Sequence, residues 1–345
     1  MVDKKYCSSS FLMYRTIADR SKCFTEKYKP RLFQDNTSKA PVKNASELLQ
    51  ELKNQIELCT RDGKAALALS GGIDSAILAK LMPKGAKVYT FQCIVPGIEV
   101  TNEVPQAKRY ADENGLEHEV IEVYWEDFEN YAPVLMKHKG APIHSIEVQI
   151  YKAALKAKAD GYERIIFGES SDLNYGGLSG LMSKDWTVGE FINRYSYAAP
   201  YCVLKDFELP AEPITRYEQD GYINTHEFCR GFFLCEAMGS YTNACECAGI
   251  TLETPYLHTW LSVPLDYERI RSGENKYVVR EAFNKLYPGW EIPTKTPMPR
   301  PMNEWLADWK GPVRDEFWRH CTDNMTGDQK WLVWALEKFF DLIES

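Results

Sequence analysis

Between residues 46 and 168 the apolar positions change period in turn, as expected for alternating helices and strands. Ser46 is placed to cap a helix that carries Leu48, Leu49, Leu52 and Ile56 on one face. The run KAALAL, 64–69, is a short apolar strand, and SAILAKLM has helical spacing that stops near Pro83. KVYTFQCI, rich in aromatic and β-branched residues, predicts the next strand. EVPQAKRYADENG then predicts a helix ending at Gly115, and LEHEVIEV a strand. IEVQIYKAALKAKADG predicts a helix closed by Gly161, and ERIIFGES a strand running into a glycine turn. The alternation predicts an α/β fold, a parallel sheet with helices on both faces.

Outside that window the pattern differs. Residues 1–45 give no clear period and are read as an N-terminal arm, with 46–178 as the α/β core. Past residue 178 the strand signals fade. Helical spacing recurs in 185–204, 225–249, 274–287 and 328–343, so 179–345 is expected to form a mainly helical C-terminal lobe. Seven of the nine tryptophans lie beyond residue 255 and are expected to pack the core or the lobe boundary.

Composition narrows the class without choosing a function. The 345 residues are 44% hydrophobic and 26% charged, as in ordinary globular chains, and no run of 18 apolar residues predicts a membrane span. The N-terminus shows no signal-peptide pattern, and ten cysteines without one are expected to be mostly reduced, in a cytoplasmic protein. Cys245 and Cys247 are two apart with no matching second pair, which favours buried or incidental thiols over a metal or redox role. A net charge of −8 disfavours broad nucleic-acid binding but not one small polyanion held by backbone N–H groups.

The turn SGGIDSA, 70–76, is where chemistry enters. A strand ends at Leu69; Ser70, Gly71 and Gly72 turn the chain; Asp74 and Ser75 open a helix. Glycines allow close approach, and successive N–H groups at a helix start attract phosphate. Asp74 would repel a bare phosphate, so a Mg²⁺ ion between the carboxylate and phosphate oxygens is the natural partner. The plainer alternative is an Asp cap after a glycine turn. The second turn, FGESSDLNYGG, again leaves a strand with glycine and acid, putting Glu169 and Asp172 three apart. Both could point into the same crevice as Asp74, and two carboxylates from separate strand ends suit a Mg²⁺ site; an acidic surface loop is the alternative.

SGGIDSA resembles the pyrophosphate loop of the N-type ATP pyrophosphatases, and GESSDLNYGG resembles the asparagine synthetase signature Gly-Glu-(Gly/Ser)-(Ala/Ser)-Asp-Glu-(Leu/Val)-Phe-Gly-Gly. Gly168, Glu169, Asp172, Gly176 and Gly177 match; Leu173 stands where the family has Glu, and Asn174 where it has a small aliphatic residue. AGITLETPYLH, 248–258, is similar to a further family segment through Gly249, Ile250, Pro255 and Leu257, but Thr251, Glu253 and His258 depart from its Glu, Arg and Asp. NKYVVREAF matches a third at Lys276, Arg280 and Glu281, and PTKTPMPRP, 293–301, resembles a later one.

The resemblance implies an adenine nucleotide alpha hydrolase-like fold and an ATP-dependent, AMP-forming amide ligase that uses ATP and Mg²⁺. It also implies a relation to the β-lactam-forming synthetases. It further implies roles: ATP binding by Leu69, Ser70, Gly71, Gly72, Asp74, Ser75, Phe91, Gly168 and Arg280, with the 70–76 loop on the pyrophosphate half; Asp74 and Asp172 as metal ligands flanking Mg²⁺-pyrophosphate; Phe91 and Gln92, at the end of the 87–93 strand, bordering the adenine with Leu67 to Leu69 on its other side; Glu169 deprotonating the nitrogen nucleophile; Lys276 stabilising charge at the reacting centre. Lys276 alternatively makes a helix-surface salt bridge with Glu281. Arg280 binds phosphate or pairs with an acid. Only about 45 residues precede the synthetase-like part. No glutaminase activity is therefore expected, and nitrogen would come from ammonia, a separate amidotransferase subunit or an amine in the substrate. The carboxylate acceptor is expected to be a small molecule, with no membrane partner. The alternatives are a nucleotide- or tRNA-modifying N-type ATP pyrophosphatase and a non-catalytic ATP-binding protein.

Overall fold

In a computed structural model, which describes residues 1–294 and 297–344, the expected alternation forms. The elements are α1 (Lys4–Tyr14), β1 (Ala40–Val42), α2 (Ala45–Thr60), β2 (Ala65–Ala68), α3 (Ile73–Leu81), β3 (Lys87–Cys93), α4 (Val104–Asn114), β4 (Glu117–Val123), α5 (Trp125–Lys139), α6 (Ile146–Ala159) and β5 (Arg164–Ile166). Four strands pair in parallel in the order β4-β3-β2-β5, and a fifth, Thr251–Glu253, adds to the β5 edge. That strand comes from the stretch whose pattern predicts helices. With three residues it is too short to show a period.

The side-chain period of two divides the strands between two cores. Ala66, Ala68, Tyr89 and Ile165 face a layer containing Phe128, Ala153 and Trp331. Ala65, Leu67, Val88 and Ile166 face Leu48, Leu52, Ile77 and Phe283. Helices therefore cover both sheet faces, as an all-parallel sheet requires. Beyond β5 most of the chain is helical, including Leu234–Ala248, Tyr277–Leu286 and Gly327–Glu344. Trp305, Trp331 and Trp334 pack around Trp125 and Phe128, with ring centroids 4.9–6.4 Å apart.

Three details differ from the pattern-based expectation. Asn44, not Ser46, caps α2, its side chain accepting from the N–H groups of Ser46 and Glu47. Asn is as good a cap as Ser, and here it also carries the extended backbone of a cap residue. Helix α5 forms although Pro133 lies inside it. Residues 4–14 are a buried helix, with Cys7, Phe11 and Leu12 fully enclosed. Its serines hid that burial from the pattern. Ser8 donates to Lys4 O at 2.6 Å, Ser10 donates to Thr16 O at 2.8 Å, and Ser9 accepts from Glu208 N at 2.9 Å. Helix α1 packs on Gly327–Glu344, and Lys4 joins Glu344 at 2.8 Å.

Strand β2 lies at a reversal in strand order. The chain leaves it toward β3 on one side, while β5 occupies the other side and pairs onward to Thr251–Glu253. Connections after β2 and β5 diverge there and open a crevice beyond the carboxyl ends, the usual ligand position in such sheets. Leu67 is in register with Ile166, so both unusual turns begin at the same level. Among the described residues, no helix is long and apolar enough to cross a membrane.

Candidate functional site

The turn after β2 is held by two hydroxyls. Ser75 Oγ accepts from Ser70 N at 3.0 Å and lies 2.9 Å from Ser70 Oγ, and Ser70 Oγ accepts from Gly72 N at 3.2 Å. Gly72 is the cap position of α3, and Asp74 stands in its first turn, where the helix dipole favours a negative charge.

The turn after β5 comes close enough to touch. Ser171 Oγ donates to Asp74 Oδ1 at 2.7 Å. Gly168 is needed for this approach: a Cβ there would lie 3.1 Å from Ser75 N and 3.2 Å from Asp74 Cβ. From behind, Tyr256 donates to Asp74 O at 3.1 Å, and Asn174 donates to Tyr256 O at 3.0 Å and Thr259 O at 3.1 Å. Asn174, a departure from the signature, thus ties the second turn to the 255–259 segment. Leu173, the other departure, is buried and lines the cavity.

Gly177 makes room for Asp172. A Cβ at 177 would stand 1.9 Å from Asp172 Oδ1. Gly177→Ala is therefore expected to displace the carboxylate, cutting turnover as far as loss of Asp172 itself does. The crowding should cost about 1–3 kcal/mol of stability. Urea unfolding alongside an AMP-formation assay checks both; an unimpaired variant would break the link between Gly177 and Asp172.

Lys276 joins the two turns. It adopts a left-handed conformation, φ 59°, at the start of the Tyr277–Leu286 helix, and its side chain is 5% exposed. Its Nζ contacts Asp74 Oδ2 and lies 2.8 Å from Asp172 Oδ1. Burial pushes its pKa down, but the facing charges of Asp172 and Asp74, with their hydrogen bonds, outweigh it and raise the pKa. The helix-surface alternative does not hold: Glu281 pairs with Arg269 at 3.2 Å.

These groups share one cavity of about 540 Å³. Leu69, Ser70, Gly71, Gly72, Asp74 and Ser75 form one wall, and Gly168, Glu169 and Asp172 the adjoining one. Phe91, Lys276 and Arg280 complete the expected set. Gln92 instead turns to Cys93 O and Thr101 O. Thr251, Glu253 and His258 lie outside the cavity lining. In the 293–301 segment, Pro293, Thr294, Pro297, Met298 and Arg300 line it, while Lys295 and Thr296 are outside the described residues. Glu169 accepts from Ser170 N at 2.8 Å and from the hydroxyl of Tyr241, whose pKa burial and the Glu169 charge push well up.

Two carboxylates beside a row of backbone N–H groups fit Mg²⁺ bound with a phosphate, since that ion takes one or two protein carboxylates and fills its shell with phosphate oxygens and water. The Lys276 ammonium supplies compensating charge between the two carboxylates. Among the described residues no group of three or more His, Cys, Asp or Glu could hold a metal unaided, and all ten cysteines are free. Cys245 is buried, and its thiol pKa is raised by burial.

Glu103 was missed because nothing in its local sequence marks it. Its carboxyl faces the Gly71 N–H, and burial pushes its pKa up to about 7. The charged form is thus less stable folded than unfolded. The penalty is absent below about pH 4.5 and complete above the folded value near 7. Glu103→Gln is expected to stabilise the protein above pH 7, on the order of 1 kcal/mol after solvent screening, and to be neutral near pH 4. Thermal unfolding of both proteins from pH 4 to 8 tests this; a gap that does not change with pH would contradict it.

Residues 47–227 match the family model described as asparagine synthase. No curated protein matches the chain. Three solved structures show distant likeness. An NH3-dependent NAD synthetase from Campylobacter jejuni is 18% identical over 39% of this chain, with a TM-score of 0.26; the match spans 60% of that synthetase's length. An NMN synthetase from Francisella tularensis is 14% identical over 74% of this chain and 99% of its own, TM-score 0.29. A U34-tRNA thiolase from Methanococcus maripaludis, with a 4Fe–4S cluster, is 12% identical over 72% of this chain and 82% of its own, TM-score 0.27.

Proposed function

The chain belongs to the asparagine synthase family, and on that premise we propose that it is an ATP-dependent, AMP-forming amide ligase. A carboxylate attacks the α-phosphorus of ATP, giving an acyl-adenylate and pyrophosphate. Ammonia or an amine then attacks the acyl carbon and releases AMP. One observation carries the reading: Asp74 and Asp172, from separate strand ends, meet at a single cationic point beside the Ser70–Gly72 turn.

The residues divide the work by position. Backbone N–H groups of Gly71 and Gly72 and the hydroxyls of Ser70 and Ser75 hold the pyrophosphate half. Leu69 and Phe91 flank the adenine, Gly168 keeps the two turns close, and Arg280 faces phosphate. Bound at Asp74 and Asp172, Mg²⁺ would neutralise charge on the departing pyrophosphate. Lys276 stabilises negative charge at the reacting centre. Glu169, aimed by Ser170 N and Tyr241, takes the proton from the nitrogen nucleophile.

Glu169→Gln is accordingly expected to slow amide formation by about 10²–10⁴-fold while sparing ATP–pyrophosphate exchange. Equal loss of both partial reactions would refute the base assignment. The wider test is a screen of carboxylates and amines for AMP and pyrophosphate, starting with aspartate plus ammonia. The same ATP-binding core also serves a nucleotide- or tRNA-modifying pyrophosphatase, the reading that the family's wider superfamily leaves open. AMP formation with a nucleotide or tRNA alone would establish that reading, although a net charge of −8 offers tRNA little attraction. ADP and phosphate as products would exclude both.

A further inference from the structure

The cavity has a second polar cluster that belongs to neither motif. Its Arg15 comes from the segment ahead of the family match, His144 from within it, and Glu236 and Arg300 from beyond it. Arg15 follows α1 directly in a left-handed conformation, φ 59°. Its guanidinium lies over the Tyr197 ring, 3.7 Å from the centroid. Nη2 donates to the Tyr197 hydroxyl and, at 3.1 Å, to Glu236 Oε2, while Nη1 meets His144 Nε2 at 3.0 Å. Arg15, His144, Glu236 and Arg300 all line the cavity.

The pairing is incomplete in a specific way. Arg15 Nε lies 3.1 Å from Glu236 Oε1, but without hydrogen-bonding geometry. Both atoms are buried and have no hydrogen-bond partner among the described residues. The Glu236 side chain is 1% exposed, and that of Arg15 12%. The two atoms are ion-paired, yet each lacks a hydrogen bond, and beside a cavity that bonding capacity suits a ligand that supplies the complement. His144 cannot serve as a second cation, because burial and the charges of Arg15, Arg300 and Lys139 push its pKa well down. Arg300 is engaged with Asp328 at 2.8 Å.

We propose that Arg15 and Glu236 form the recognition end of the acceptor subsite, reading a polar head that presents an acceptor and an N–H donor side by side. A carboxamide and an amino-acid end both have that pattern. The inference rests on the ligase reading above: the carboxylate to be activated points toward the β2 turn, and the head points toward Arg15. Arg15 is then the residue that sets acceptor specificity.

The test separates this from ATP use. Binding of Mg²⁺ with α,β-methylene-ATP is measured first by calorimetry, for the parent, Arg15→Lys and the Arg15→Met/Glu236→Gln double variant. Failure of the nucleotide to bind the parent would reject the ligase reading, and the acceptor subsite with it. With nucleotide bound, three probes follow: succinamate, L-aspartate and butyrate. The parent should bind succinamate or L-aspartate more tightly than butyrate, and the stronger of the two identifies the head. Arg15→Lys keeps the charge that balances Glu236 but loses the Nε donor and the planar fork. It should weaken the preferred probe at least about 10-fold, one lost hydrogen bond to a charged group, leaving nucleotide affinity within about twofold. The double variant, which buries no unpaired charge, should lose the preference altogether. Binding of all three probes alike, or of none, by the parent would overturn the proposal. So would an Arg15→Lys variant with unchanged probe affinity.

Discussion

Replacing Asp172 by Asn is expected to reduce AMP and pyrophosphate formation by about 10²–10³-fold in a chain that still folds. Asp172 gives one of the two carboxylates that meet at Lys276, and Asp74 gives the other. With Asp172 neutral, Lys276 keeps Asp74 as partner, so the buried ammonium is not stranded and the loss of stability stays modest. The proposed cation and pyrophosphate lose half of their anionic anchor. Asp74→Asn should behave alike in activity, with an added structural cost, because Asp74 also accepts from Ser171 at 2.7 Å. Turnover assays beside thermal unfolding decide the matter. Full activity in either variant would remove the carboxylate pair from the mechanism.

Lys276→Met is expected to have the largest effect on stability. It leaves Asp74 and Asp172 facing each other without a cation. Removing one partner of a buried ion pair costs about 3–5 kcal/mol, and the low end applies because the two carboxylates are 22% and 26% exposed. The loss depends on pH in a defined direction. In the parent, the lysine pKa is raised, so its contribution is fully present below the unfolded lysine value and disappears only as pH rises through the higher folded one. In the variant, two like charges raise each other's pKa, so stability present in acid is lost as pH climbs through the carboxylate range. The gap between parent and variant should thus be small near pH 4 and wide at pH 7. Millimolar Mg²⁺ should recover part of it at pH 7, since the bare pair becomes a cation site. A variant as stable as the parent at pH 7, or one indifferent to Mg²⁺, would contradict the role given to this triad.

The site was legible where its chemistry is local. The Ser70–Ser75 and Gly168–Gly177 turns each show glycine, hydroxyl and acid directly after an apolar strand, and the alternation around them fixes which end of the sheet they occupy. The contact that joins them was not legible: the family resemblance put Lys276 at the reacting centre, but nothing in the chain showed its ion pairs with Asp74 and Asp172. Lys276 lies 202 residues from Asp74, and an ion pair across that distance leaves no periodic trace in the chain. Arg15 was hidden for another reason. The helix before it buries serines that pair with backbone groups, so it reads as polar while packing as core. The Thr251–Glu253 strand is too short for a two-residue period to show, and Pro133 disguises α5. Tertiary packing overrode local preference in each of these places.

The most direct measurement is a crystal structure with α,β-methylene-ATP and Mg²⁺. The β and γ phosphates are expected on the N–H groups of Gly71 and Gly72, with the metal between Asp74 and Asp172 and the Lys276 ammonium moved from its present seat. Nucleotide bound elsewhere, or phosphates seated there while Lys276 still bridges both aspartates and no metal enters, would contradict the proposal that the two strand-end turns act as one ATP-cleaving centre.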